Sequence, residues 1–254
     1  MKRLKSLDCL KDRAILIVSA HQPGYIPYIG LFNKMMQSDL FVLLDNVQYV
    51  KREWHNRNKI REYTKGWMWL TVPVHRKMGF QQIKEITIDN SKNWRAVHRK
   101  SIQAAYGRTP YFHQYAGFFE DVYSMNWEKL IDLNETIITY IVNALDIQTK
   151  IVKGSTLKLV GKKTDLLIDM CKKTQSDTYL SGIGGRQYLD EEKFEEHGIT
   201  LAYQDFHHPT YRQQNEPFIP YLSVIDVLFN LGNENSRKLI LSSGRMIPAG
   251  ASQT

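Results

Sequence analysis

Ala14-Ile15-Leu16-Ile17-Val18-Ser19, then His21-Gln22-Pro23-Gly24, then Leu40-Phe41-Val42-Leu43-Leu44-Asp45: the fold class turns on these residues. Each apolar run is short, rich in branched residues and closed by turn formers. That predicts two strands buried on both faces. Pro23 and Gly24 enforce a turn after the first strand. Pro27 then suits the first turn of a helix reaching about Gln37. Ile29, Leu31, Phe32, Met35 and Met36 supply its apolar side. A strand, a turn, a helix and a second strand open a parallel sheet.

The alternation returns downstream. Lys150-Ile151-Val152 reads as a short strand, and residues 163–174 as a helix with Leu166, Leu167, Met170 and Cys171 on one face. Thr178 to Ser181 reads as a strand closed by Gly182-Ile183-Gly184-Gly185. A helix over 191–197, ended by Gly198, leads to a strand at Ile199 to Tyr203. Ser223 suits an N-cap for a helix over 224–231 stopped by Gly232, with Asp226 as its capping-box partner. A short helix over 234–242 follows. In the middle, Trp67 to Val74 and Ile83 to Ile88 read as strands, and helices are predicted at 92–105 and 126–145, broken by Thr109-Pro110-Tyr111-Phe112. The expected fold is α/β, an open, mostly parallel sheet with helices on both faces and a helical subdomain. Residues 1–13 are expected to be a flexible basic lead-in and 14–243 a single domain with a helical insertion near 92–148. Residues 244–254 are expected to be a frayed tail.

The 254 residues suffice for one sizeable core. Hydrophobic residues at 43% and charged residues at 24% exclude a disordered chain. The 2 cysteines, Cys9 and Cys171, lie far apart, which excludes a disulfide framework and a cysteine zinc site. No apolar run is long enough to span a membrane, and the N-terminus makes a poor signal peptide, so a cytoplasmic protein is expected. The net charge of +8 favours an anionic small-molecule partner, such as a nucleotide-sugar or a phosphopantetheine carrier. Nucleic acid is disfavoured because no nucleic-acid motif accompanies the charge. No oligomeric state is implied.

Open parallel sheets bind ligands at the carboxyl ends of their strands, and polar clusters follow several predicted strands. His21, Gln22, Gly24 and Tyr25 form the first. Gly24 permits close backbone approach, and His21 suits a general acid or base; a turn histidine bonded to the backbone is the alternative. Asp45 through Asn58 forms the second. There Lys51, Arg52 and Arg57 could clamp a phosphate or carboxylate, and Gln48, Tyr49, Trp54, Asn56 and Asn58 could orient a sugar or base. Asp45 ends a strand where a catalytic carboxylate would stand. Ser181, Gly182 and Tyr188 form the third cluster, whose glycines could cradle a phosphate or merely make a tight turn. His207 and Tyr211 follow the Tyr203 strand as a fourth wall. No metal-ligand spacing occurs, so no metal is expected beyond Asp45 with a bound phosphate. Cys171 reads as core rather than nucleophile.

These clusters together resemble the WbqC-like protein family. The resemblance rests on Gln22-Pro23-Gly24-Tyr25-Ile26-Pro27-Tyr28-Ile29-Gly30 with Lys34 and Asp39, and on Phe41 to Tyr49 with Lys51, Trp54 and Asn56-Arg57-Asn58. It continues through Trp69 to Val74, Tyr179-Leu180-Ser181-Gly182 with Tyr188-Leu189, and Tyr211, Gln213, Phe218, Pro220, Leu222 to Asp226 and Phe229-Asn230. It spans about residues 14 to 240. The chain carries Gly24 where the family often has Asn or Ser, and Tyr28 where Trp is common.

The resemblance implies an association with O-antigen and other surface-polysaccharide biosynthesis. It also implies a glycine (aminoacyl) transferase role onto an amino sugar. The expected function is accordingly a transferase attaching an aminoacyl or acyl group to an amino sugar; His21 or Asp45 as its base rests on their places at strand ends, not on the resemblance. No cofactor is required by the sequence; ATP or a carrier-bound acyl donor would fit. The first strand-turn-helix unit is also similar to adenylyltransferase-like folds that activate carboxylates, although Tyr25 replaces their second turn histidine. An ATP-dependent nucleotidyl-transfer enzyme is therefore one alternative. A non-catalytic nucleotide-sugar or RNA-binding protein is the other.

Overall fold

The protein is described by a computed structural model covering residues 16–77 and 79–251. The expected lead-in at 1–13, the first residues of the opening strand and the last residues of the tail lie outside these. The elements run β1 (Ile17–His21), α1 (Ile29–Met36), β2 (Leu40–Leu43), β3 (Arg57–Glu62), β4 (Gly66–Thr71), β5 (Val74–His75), β6 (Thr87–Ile88), α2 (Trp94–Tyr106), α3 (Phe112–Ser124) and α4 (Leu130–Ala144). They continue as β7 (Lys150–Lys153), α5 (Thr164–Thr174), β8 (Thr178–Gly182), α6 (Glu191–Glu196), β9 (Thr200–Phe206), α7 (Val224–Ser242) and β10 (Gly244–Pro248).

The main sheet is ordered β10-β9-β8-β1-β2-β7. Its first five strands in sequence pair in parallel, and β10 closes the edge antiparallel to β9. The fold is thus α/β. Strand alternation divides the core. Phe41 and Leu43 of β2 face α1, α4 and α7, whereas Val42 and Leu44 face α5 and α6. Both faces are covered, as a parallel sheet requires.

Several elements differ from expectation. Residues 57–58, read as loop, open β3, which pairs antiparallel with β4 in a separate hairpin. Trp67 to Thr71 therefore lies outside the main sheet. Residues 83–85 form a 3-10 turn, and only Thr87–Ile88 pair, with β5. An unanticipated helix, α3, occupies Phe112–Ser124. Residues 244–248, expected to fray, are held as β10 by the backbone of β9, from Gly244↔Phe206 to Pro248↔Ala202. Ser223 does start α7, but its side chain makes no capping bond and Asp226 bonds elsewhere. Gly232 kinks α7 with φ 73°, and a Cβ there would lie 2.7 Å from the Tyr111 ring.

Candidate functional site

Strand order fixes where a site can form. The chain passes from β1 to β2 and β7 on one side, then crosses back to β8 on the other. Connections leaving in opposite directions open a crevice at the carboxyl ends of β1 and β8, where open α/β sheets bind ligands. His21 ends β1 and Gly182 ends β8.

Two adjoining cavities occupy this crevice. One, of about 530 Å³, is lined by His21, Gln22, Lys34, Ser181, Gly184 and Tyr188 among others. The second, of about 540 Å³, is lined by His21, Gly24, Trp54, Asn58 and Lys59. Both include His21, Tyr28 and Tyr221, so His21 stands at their junction. A further concavity of about 580 Å³ beside α6 presents Glu191, Glu192 and Glu195 and no histidine, lysine or arginine.

His21 has a defined tautomer. Its Nδ1 lies 2.8 Å from the Gln22 carbonyl, which can only accept, so Nδ1 carries the hydrogen and Nε2 keeps its lone pair. Its pKa falls from 6.5 to about 4, through desolvation first and the Lys34 charge second; the Gln22 carbonyl opposes and His55 adds slightly. The ring is exposed to the cleft, so this desolvation is that of a concave floor rather than a sealed core. Either way the imidazole is neutral at pH 7.

Lys34 lies beneath it. Its side chain comes from the buried face of α1, is 4% exposed, and donates to the Ala20 carbonyl at 2.8 Å. Burial lowers its pKa from 10.5 to about 8, so it remains an ammonium at neutral pH. Across the crevice, Gly182 and Gly184 face open space, since a Cβ at either would meet no protein atom within 4 Å. Neither has positive φ, so the backbone does not demand glycine there. Tyr221 on the rim does adopt positive φ, 58°, where a bulky residue is an outlier. Its ring packs 4.7 Å from His208.

The hairpin makes the outer wall. Trp54 lies 5.3 Å from Trp69, Lys59 Nζ sits 4.2 Å over Trp67, and the Arg57 guanidinium sits 4.2 Å over Trp69. Outward cations alternate with outward tryptophans across β3 and β4.

Of the residues singled out from sequence, His21, Gln22, Gly24, Trp54, Asn58, Ser181, Gly182 and Tyr188 line the crevice. The others do not line it. Tyr25 is fully buried and hydrogen-bonds His98 at 2.8 Å and Tyr123 at 2.5 Å. Tyr49 donates to Asn56, which donates to the Val72 carbonyl. Asp45 is buried, and its two oxygens accept from the Ser155 amide at 2.8 Å and hydroxyl at 2.6 Å, tying the end of β2 to the turn after β7. Asp45 lines neither cavity of the crevice.

Gln48 is exposed and bridges to Gln82, and Lys51 and Arg52 are exposed outside both cavities. Arg57 donates to the Arg52 carbonyl and stacks on Trp69, and it lines neither cavity. His207 pairs with Asp205 at 3.0 Å, and the Tyr211 hydroxyl donates to Asp226 at 2.7 Å. Asn58 borders the cleft, but its amide holds the Tyr25 and Ile26 carbonyls.

Sequence reasoning passed over Lys34, Tyr28, Lys59, Gln204 and Tyr221 as site residues. Lys34 had a legible signal: it falls three residues after Leu31 on an apolar helix face. Among the described residues, no group of three or more His, Cys, Asp or Glu could hold a metal, and no helix is long and apolar enough to cross a membrane. Cys171 is buried, its thiol pushed up to about 12 by desolvation, as befits core.

Compared with known proteins, residues 22–238 match the model of the WbqC-like protein family. An uncharacterized protein of Mycobacterium tuberculosis is 33% identical over 220 residues, covering 85% of this chain and 94% of that protein. No solved structure matches the chain.

Proposed function

The chain belongs to the WbqC-like protein family, and from that premise and the crevice we propose a transferase that attaches an aminoacyl (glycyl) or acyl group to an amino sugar in surface-polysaccharide biosynthesis. The observation that carries this reading is His21. It is neutral, with Nε2 unprotonated, at the junction of two cavities ending one in glycines and the other in tryptophan.

In this reading the sugar packs on Trp54 and Tyr221, since amphipathic rings suit sugar faces. The donor is an acyl thioester on a carrier, or another activated acyl group, lying along Gly182 and Gly184. The sugar amine attacks the acyl carbon, Nε2 of His21 accepts its proton, and the thiolate leaves as the amide forms. Positioning contributes most, because a thioester is already activated toward amines. Asp45 has no part in the step.

The β1/β8 crevice also suits a nucleotide, the general ligand of such strand orders. That favours ATP-dependent carboxylate activation as the second reading. A transfer assay with labelled acyl donors and amino-sugar nucleotides decides between them. Label moving to the sugar nitrogen, lost in His21→Ala at unchanged melting temperature, supports the transferase. Pyrophosphate release from ATP with a carboxylate substrate supports the second reading instead. Transfer retained in His21→Ala overturns the base assignment.

A further inference from the structure

Lys34 is a cation without a counter-ion in a place where charge is costly. Its side chain is 4% exposed, and the 2.8 Å bond to the Ala20 carbonyl uses one of three ammonium hydrogens. Nζ also lies 5.9 Å from the centre of the Phe41 ring. Among the described residues, no carboxylate pairs with it. A buried, unpaired ammonium is strongly disfavoured in a folded chain. Lys51 and Arg52, by contrast, sit in solvent at little cost and lie outside both cavities.

The geometry around Lys34 supplies room for what is missing. The residue lines the 530 Å³ cavity, whose opposite side is the open backbone of Gly182 and Gly184. Gln204, also on this cavity, already uses its amide nitrogen on Gly30 and Asn33. Lys34 is therefore the cationic donor that the cavity wall contributes.

We propose that Lys34 anchors an oxyanion subsite in the β1/β8 crevice, taking a phosphoryl or carboxylate group of the ligand. This rests on the crevice being the ligand site of the proposed function, not on the transfer chemistry. An anion seated there would also offset the positive charge that disfavours a proton on His21, so ligand docking would make the neighbouring base stronger.

The test is thermal shift and calorimetric titration of the full chain with inorganic pyrophosphate and, separately, glycine, each against sodium chloride at matched ionic strength. Lys34→Met is compared with wild type and with Lys51→Met, a control in solvent. Stabilisation beyond chloride should appear in wild type and Lys51→Met, and affinity should weaken about tenfold or more in Lys34→Met. Lys34→Gln repeats the comparison should the methionine variant not fold. Response to pyrophosphate assigns the subsite to a phosphoryl group, and response to glycine assigns it to a carboxylate. Equal responses in wild type and Lys34 variants, or none in wild type from either anion, overturn the proposal. Anion binding without label transfer would leave this subsite standing and remove the transferase reading.

Discussion

Asn58 donates its side-chain amide to the Ile26 carbonyl at 2.7 Å, and Ile26 is a β-branched residue held at φ 43°. Positive φ is unfavourable for such a side chain. The same amide reaches the Tyr25 carbonyl at 3.2 Å, and its oxygen accepts from the Lys59 amide at 2.8 Å. The hairpin thus clamps the turn that follows His21. Asn58→Ala leaves buried carbonyls unsatisfied and should cost about 3 kcal/mol. Urea denaturation should show a lower midpoint at unchanged slope; a loss under about 1 kcal/mol would contradict the clamp.

Asp45 and His21 should separate cleanly. Asp45→Ala strips the partner from Ser155 and leaves an amide and a hydroxyl unpaired at the end of the sheet, so melting should fall by several degrees. Ligand-induced stabilisation in the crevice should persist in the surviving fold. His21→Ala should do the reverse, with melting kept and transfer lost. An Asp45→Ala variant that melts like wild type but does not transfer would return the carboxylate to the chemistry.

The physics that made parts of this molecule legible also hid others. β1 and β2 are apolar on both faces, so composition alone marks them as interior strands. His21 follows from position, because the end of a buried parallel strand is where ligands bind. β3 reads Arg57-Asn58-Lys59-Ile60-Arg61-Glu62, and its Arg57 and Lys59 lie on tryptophans rather than in water, a pairing that only the fold brings together. α3 is rich in Phe and Tyr, which blunts the helical signal. β10 owes its order to the backbone of β9 rather than to its own sequence. Lys34 stands on an apolar helix face in the sequence, but only the fold shows that this face is buried and that the side chain lines the crevice.

Acid should destabilise the fold early. His98 and His55 are buried, and desolvation lowers both to about 4 from 6.5, with carbonyls of Thr71 and Pro23 respectively opposing. The unfolded chain takes up these protons near pH 6.5, and the folded chain does so only near 4. Stability is therefore fully present above 6.5 and is lost as pH falls toward 4, by up to roughly 3 kcal/mol per ring. Melting curves from pH 7.5 to 4.5 should fall steeply below about 6.5, and less steeply in His98→Gln. A flat profile would mean that both rings protonate freely in the folded state.

Trp54 is 46% exposed yet lines the mouth of the crevice beside Trp69. Its replacement should barely affect the core. Trp54→Ala removes a stacking face for the sugar, worth about 1–2 kcal/mol, or roughly 5–30-fold in affinity. Steady-state kinetics should show this in KM with kcat nearly unchanged, the signature of binding lost equally from ground and transition states. A drop confined to kcat would assign Trp54 to the reacting centre instead.

Gly182 gives the sharpest test that the β1/β8 crevice is occupied by ligand. A Cβ there meets no protein atom within 4 Å, and its φ is not positive. The fold has no steric or conformational need of glycine at this strand end, and a branched residue suits a strand. Gly182→Val should therefore melt at or slightly above the wild-type temperature, because the unfolded chain loses freedom. Its methyls, however, project into the space assigned to the ligand. Transfer, and stabilisation by the ligand, should fall by about tenfold or more while the circular dichroism stays native. If Gly182→Val binds and transfers like wild type, the ligand does not approach β8, and the site must be confined to the half of the cleft between His21 and Trp54.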